Sequence, residues 1–291
     1  MTIAQGIWQQ IFHFDDYGEL LALFRNSLIA GAALGLVGGL VGVFVVMRDL
    51  PFAVHGISEL SFAGASAALL LGVNIVAGSI VGSLIASGAI GLLGSRARDR
   101  NSVIGVIMPF GLGLGVLFLA LYKGRAANKF GLLTGQIVAV DTPQMAWLLG
   151  TSAVVLVALA VMWRPLAFAG ADPEVAEARG VPVRALSFAF MIVLGLAVAL
   201  SVQIVGALLV LTLVVTPAAA AARITASPVL LPVLSVAFAV VSIEGGILLA
   251  LGGSIPISPY VTTISFGIYL VCRRMGGHRA RRLGSASHRM T

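Results

Sequence analysis

Apolar residues run along this chain in blocks of about twenty separated by short polar breaks, and the pattern predicts a succession of long helices. The first block covers 20–47 and ends at Arg48, Asp49 and Pro51. A second covers 52–71, where Gly72-Val73-Asn74 turns the chain into a third at 75–94. The polar stretch 95–101 precedes a fourth block at 102–122, and a polar loop at 123–129 follows it. Residues 130–141 are apolar but too short to span a bilayer, and read as a re-entrant or interfacial piece. A fifth block covers 142–163. The longest polar interruption, 164–184, leads to blocks at 185–201, 203–222, 228–251 and 257–273. Residues 1–19 mix Trp8, Phe12, Phe14 and Tyr17 with Asp15, Asp16 and Glu19 and read as an interfacial segment. Residues 274–291 read as a basic, disordered tail.

Composition decides what these helices are for. Of the 291 residues 59% are hydrophobic and only 10% charged, and the mean hydropathy is +1.07. Soluble domains carry roughly 25% charged residues, so this chain lacks the charge to cover a water-facing surface. Helices satisfy their own backbone hydrogen bonds inside lipid, and the blocks are continuous rather than alternating as a barrel requires. The expected fold is all-α: a polytopic membrane bundle of eight or nine transmembrane helices, with 20–273 as the membrane domain.

The net charge of +7 points to membrane orientation, not to nucleic acid. Of the 18 Lys and Arg residues, all but Arg25, Lys123, Arg125 and Lys129 fall on one side of the alternating spans. The positive-inside rule puts that side, with the 164–184 loop and the tail, in the cytoplasm. Nine spans then place the N-terminus outside. The weak joint is 185–222, where two spans meet with almost no loop; a single long helix there would reverse the parity against the arginine count. Cys272 stands alone, so neither a disulfide framework nor a Cys-based metal cluster is expected. No cleaved signal peptide is expected either.

Ionisable residues inside the spans are few, and each is costly in hydrocarbon. His55 and Glu59 lie four apart in the second span and therefore share a helix face, with the hydroxyls of Ser58 and Ser61 nearby. Imidazole and carboxylate suit a divalent transition metal; an internal pair that only fixes packing is the competing reading. Glu244 is the other acidic residue deep in a span, either on the same path or paired with a neighbour such as Gln203. Asp141 lies near the outer interface, where a solvated carboxylate is ordinary. The in-span glycines, such as Gly31, Gly35, Gly38, Gly39 and Gly42, read first as backbone-packing positions. In the 164–184 loop, Asp172 suits an N-cap, Pro173 the first helical position and Gly180 the C-terminal cap, predicting a cytoplasmic helix of about two turns. There is no phosphate-cradling G-x-x-x-x-G-K-[ST] loop and no catalytic triad, so energy for transport must come from another subunit or an ion gradient.

Three segments in order resemble the membrane-spanning subunits of zinc- and manganese-type ABC importers. Met47-Arg48 through Gly72 is similar to that family's first loop and second helix. The run from Val205 and Gly206 to Pro217-Ala218-Ala219 is similar to its Gly-x-Leu-Leu stretch leading into Pro-Ala-Ala. The segment Asp172-Pro173-Glu174-Val175-Ala176, ending at Gly180, resembles its coupling helix. The likeness covers about 20–273. It implies a vitamin B12-importer-like (type II ABC importer) arrangement in a bacterial inner membrane, as a non-catalytic subunit with no permanently bound cofactor. It also implies a paired second copy, a cytoplasmic ATP-binding subunit on the coupling helix, and an extracytoplasmic metal-binding protein that delivers the ion. The family commonly carries an Asp and a His four apart with a Ser just before the His. Aligned on Gly64 those positions are His55 and Glu59, with Ser58 retained. Zinc is the favoured cargo and manganese the other candidate, with Gly206 and Pro217 as packing or gating positions. Three readings compete: a permease for a metal chelate or cobalamin-like solute, which would not need His55 and Glu59; a proton-coupled transporter using Glu59 or Glu244, which an uncoupler would stop; and a scaffold that transports nothing.

Overall fold

The computed structural model describes residues 24–94, 97–125, 129, 131–132, 142–207, 209–251 and 257–287, with the side chains of 97–99, 142, 203–204, 251 and 277–287 excepted. The interfacial segment 1–19, nearly all of the 130–141 piece, Asp141 and the Gln203 side chain fall outside the described residues. Those described form helices and no strand. They are α1 (Arg25–Met47), α2 (Pro51–Leu71), α3 (Ile75–Leu93), α4 (Ala97–Leu121), α5 (Thr142–Ala171), α6 (Pro173–Ala178), α7 (Val183–Val205), α8 (Val210–Val214), α9 (Thr216–Ile224), α10 (Leu230–Leu251) and α11 (Ile257–Ser287). Seven of them, α1–α5, α7 and α10, are long and apolar enough to cross a membrane.

Three boundaries differ from the pattern reading. The apolar run 203–222 is not one helix. Helix α7 continues to Val205 and stops at Gly206, whose φ of 86° and ψ of 154° lie in a region only glycine adopts readily. The return is made by α8 and α9, separated at Val215, with Pro217 in the first turn of α9 where its missing N–H costs nothing. Helix α5 does not end at Arg164 but runs through Pro165 to Ala171. Helix α11 carries on past Arg273 and Arg274 to Ser287, so most of the segment expected as a disordered tail is helical. In both cases charge ends the apolar run without ending the helix.

The packing fixes which helix ends lie together. On α1, Gly31 faces Ile243, Glu244 and Ile247 of α10, Gly35 faces Val240, and Gly39 faces Val236. Gly42 of α1 lies directly against the Val214 carbonyl at the end of α8. Ser235 donates a 2.7 Å hydrogen bond to the Gly39 carbonyl across that seam. Hence the last turns of α1, the start of α10 and the α8–α9 join share one end of the bundle. Ser258 of α11 donates to the Val205 carbonyl at the opposite end. The α8–α9 pair therefore crosses back, as the two-span reading of 185–222 requires. Met47, Arg48, Gly94, Arg100, Gly170, Pro173 and Val183 line a single cavity, so the arginine-bearing breaks expected on the cytoplasmic side do converge on one end.

Helix α2 is, with α1, the most enclosed of the seven long apolar helices. Gly78 and Gly82 of α3 abut the backbone of Gly64 and Leu60, and Gly111 and Gly115 of α4 abut Glu59–Leu60 and Phe62 from the other side. Ser61 and Ser79 share a 2.7 Å hydrogen bond between α2 and α3, and Ser79 also reaches the Ala199 carbonyl of α7 at 3.3 Å. Small residues permit this approach, which is what holds helices together in lipid.

A Cβ added at Gly39 would sit 2.6 Å from the Val236 Cα, whereas one at Gly113 meets nothing within 4 Å. Gly39→Val should therefore destabilise the protein by about 1–3 kcal/mol, and Gly113→Ala should leave it unchanged or slightly firmer. Thermal melting of the two variants in detergent, side by side, checks this.

Candidate functional site

His55 stands one turn into α2, because Pro51 starts that helix directly after the tight Arg48-Asp49-Leu50 turn. Glu59 is one turn deeper on the same face. The side chains grade from open to closed: His55 is 33% exposed and Glu59 only 5%. The His55 Nε2 to Glu59 Oε1 distance is 3.8 Å, too long for a hydrogen bond. Glu59 Oε2 is buried with no hydrogen-bond partner. An unpaired carboxylate oxygen in a low-dielectric interior is costly, and a cation or a proton relieves it. Two tetrahedral ligands about 2.1 Å from a metal stand about 3.4 Å apart, so a few tenths of an ångström would close the 3.8 Å gap onto one ion. No third His, Cys, Asp or Glu joins the pair among the described residues. Further ligands for an ion here would be water, backbone oxygen or groups from another chain.

The hydroxyls expected beside this pair are differently engaged. Ser58 donates to the His55 carbonyl within its own helix at 2.8 Å, keeping lone pairs but no free proton. Ser61 faces α3 and Ser79. Glu244 is not brought to His55 and Glu59. It lies against Gly31 in the α1–α10 seam, with Oε1 buried and unpartnered. At 1.5 Å rise per residue, Gly31 is about 24 Å from the inner end of α1 while Glu59 is about 12 Å from the inner end of α2. The two carboxylates thus occupy different depths.

The 171–182 segment folds as its sequence reads. Asp172 accepts hydrogen bonds from the Glu174 and Val175 amides, each at 3.1 Å. Pro173 opens α6, and Gly180 takes the left-handed conformation at φ 83° just after it. The Val181 amide bonds the Ala176 carbonyl at 3.0 Å, closing the C-terminus. Ala176 is fully buried, while Asp172, Glu174 and Glu177 are exposed. The result is a short, doubly capped helix clamped between α5 and α7, presenting an acidic outer face. Its six residues make somewhat less than the two turns expected.

One feature escaped the sequence. Arg48 and Arg100, read there only as orienting charges, line the cavity beside α6. Forty residues of other helix separate them, and no local spacing signals the pairing.

Residues 21–275 match the ABC 3 transport family. The manganese import system permease protein ScaB of Streptococcus parasanguinis is 31% identical over 212 residues, covering 72% of this chain and 75% of that protein. The high-affinity zinc uptake system membrane protein ZnuB of Haemophilus influenzae is 28% identical, covering 77% and 86%. Among solved structures, PsaBC from Streptococcus pneumoniae in complex with Fab aligns with a TM-score of 0.79 at 24% identity, over 89% of this chain and 95% of that one.

Asp172→Ala should remove the N-cap and cost about 1 kcal/mol locally, while Asp172→Asn should keep it. Hydrogen exchange of the 173–178 amides reads the difference: faster in the Ala variant, unchanged in the Asn variant.

Proposed function

The chain belongs to the ABC 3 transport family, and on that premise we propose that it forms the path by which a divalent manganese or zinc ion enters a bacterial cell. It is the non-catalytic, multi-pass membrane subunit, and the ATP-hydrolysing subunit is a separate chain. The observation that carries the reading is the buried Glu59 carboxylate, its Oε2 without a hydrogen-bond partner, beside His55 in one of the two most enclosed spanning helices. Relatives named for manganese and for zinc support the same ion class. An imidazole–carboxylate pair holds Zn²⁺ more tightly than Mn²⁺ by the Irving–Williams order, which favours zinc as the tighter-bound cargo.

In this reading His55, Ser58 and Glu59 form the metal station, and Glu244 is a second carboxylate nearer the outer face. A second copy of the chain completes the path and supplies the ligands that one copy lacks. An extracytoplasmic metal-binding protein delivers the ion. The cytoplasmic ATPase docks on α6 through Asp172, Pro173, Glu174 and Gly180, with Ala176 as the buried anchor that transmits the push. Gly206 and Pro217 mark where the path-lining segment bends.

The test is radiolabelled zinc and manganese uptake into vesicles holding the permease, its ATPase and its binding protein. His55→Ala and Glu59→Ala should each lower ATP-dependent uptake at least about tenfold, and Glu59→Gln should do the same. Glu244→Gln should slow uptake without abolishing it. Undiminished uptake in the His55 and Glu59 variants, or uptake that needs no ATP and collapses with an uncoupler, would overturn the proposal.

A further inference from the structure

Arg48 and Arg100 face each other across a cavity of about 430 Å³ at the arginine-rich end of the bundle. Arg48 follows the last turn of α1; Arg100 lies in the first turn of α4. Leu50, Ile90, Gly91, Gly170, Pro173 and Ser187 are among the other wall residues, and six helices contribute. Arg48 donates one hydrogen bond, to the Ser187 hydroxyl at 3.1 Å, and its guanidinium stands 5.8 Å from the Phe190 ring centre. The Nε atoms of both arginines are buried and have no partner. Among the described residues no carboxylate forms an ion pair with either one; Asp49 lines the cavity but is not within pairing distance.

Two like charges held together in a partly desolvated space repel unless something neutralises them. The pair registers that strain: burial, and then the neighbouring Arg100 charge, push the Arg48 guanidinium below its ordinary value. A planar fork of donors with unused N–H groups matches a tetrahedral oxyanion. At ~30 Å³ per water the cavity exceeds what one phosphate fills, so a substituted phosphate fits as well as a free one. Its depth, at the ends of six helices, is where inner-leaflet headgroups lie, and basic pockets between membrane helices on this side bind phosphate headgroups.

We propose that Arg48 and Arg100 form a binding site for a phosphate-type oxyanion, either the headgroup of an anionic phospholipid or a free phosphate, between α1, α4 and the mouth of α6. The site is independent of the metal path and stands or falls without it. Bound there, the anion would tie the end of α1 to the start of α4 and stiffen the ground against which α6 rests.

The test uses the full-length permease in detergent with two probes: phosphatidylglycerol titrated against phosphatidylcholine, followed by native mass spectrometry, and inorganic phosphate against chloride at constant ionic strength, followed by thermal melting. Saturable binding of at least one probe is expected, falling about tenfold or more in Arg48→Gln and in Arg100→Gln. Arg223→Gln, which removes a basic residue at the same end, should leave it unchanged. Response to the lipid alone assigns a headgroup, and response to inorganic phosphate alone assigns a free anion; either supports the site. If Arg48→Gln fails to fold, Arg100→Gln decides alone. Absence of saturable binding with both probes, or equal binding in the Arg100→Gln variant, overturns the proposal.

Discussion

Backbone-to-backbone approach at glycine is the constraint on which this structure depends. Apolar helices in lipid gain nothing by hiding from an equally apolar solvent, so they associate by close packing and by hydrogen bonds that only close packing allows. Helix α2 shows what this achieves. With Gly78 and Gly82 on one side and Gly111 and Gly115 on the other, its neighbours come near enough to shut Glu59 away. The Ser61–Ser79 hydrogen bond then fixes the depth at which α2 sits. Replacing those glycines with larger residues would reopen the space and let solvent or lipid reach the carboxylate. The same device serves the other in-span acid, since the space for the Glu244 carboxylate is the missing side chain of Gly31.

What the sequence made legible follows from how local each signal is. The caps of α6 depend on contacts two to five residues apart, so Asp172, Pro173 and Gly180 announce them unaided. The pairing of His55 with Glu59 is a consequence of helical period alone. By contrast, the 203–222 run conceals its break. Nothing in its hydrophobicity distinguishes a spanning helix from two short ones parted at Val215, and the end of α7 turns on the positive φ at Gly206, one glycine among 35. The ends of α5 and α11 were misread for a related reason: polar residues mark where lipid stops, and a helix need not stop there. At 1.5 Å per residue, the 30 residues of α5 reach about 45 Å, well beyond the ~30 Å apolar core. The Arg48–Arg100 cavity needed the whole tertiary arrangement, because its walls come from six helices.

These elements meet at the inner end. Asp172 continues the hydrogen bonding of α5 through the Phe168 carbonyl at 3.2 Å, so α6 is an extension of α5 turned sideways. Pro173 shares its cavity with Leu50, and Leu50 is the residue before α2 begins. The turn between is itself rigid: Leu50 bonds the Val45 carbonyl at 2.9 Å while Asp49 holds a left-handed conformation. From the start of α2 to His55 is four residues, about 6 Å along the axis. In the proposed transport reading, α6 thus faces the start of the helix that carries the metal station across that cavity.

In the proposed transport reading a push on α6 also reaches α7, which packs against it, and the α7–α9 segment has the backbone break that would absorb it. Helix α9 is anchored twice: Ala218 and the preceding Val214 lie against Gly42 of α1, and the Arg223 carbonyl lies against Gly276 of α11. Helix α7 follows α6 through the short Gly180–Pro182 link. Between α7 and the anchored part stands Gly206, whose amide closes the α7 ladder on the Val202 carbonyl at 3.0 Å while its φ of 86° and ψ of 154° turn the chain out of the helix. A side chain at this position would cost about 1–3 kcal/mol in strain, so glycine here permits the fold, and in the proposed transport reading it also lets α7 tilt without dragging α9. In that reading, the break that the apolar pattern hides is the part of the chain that lets a bundle anchored at α9 open and close.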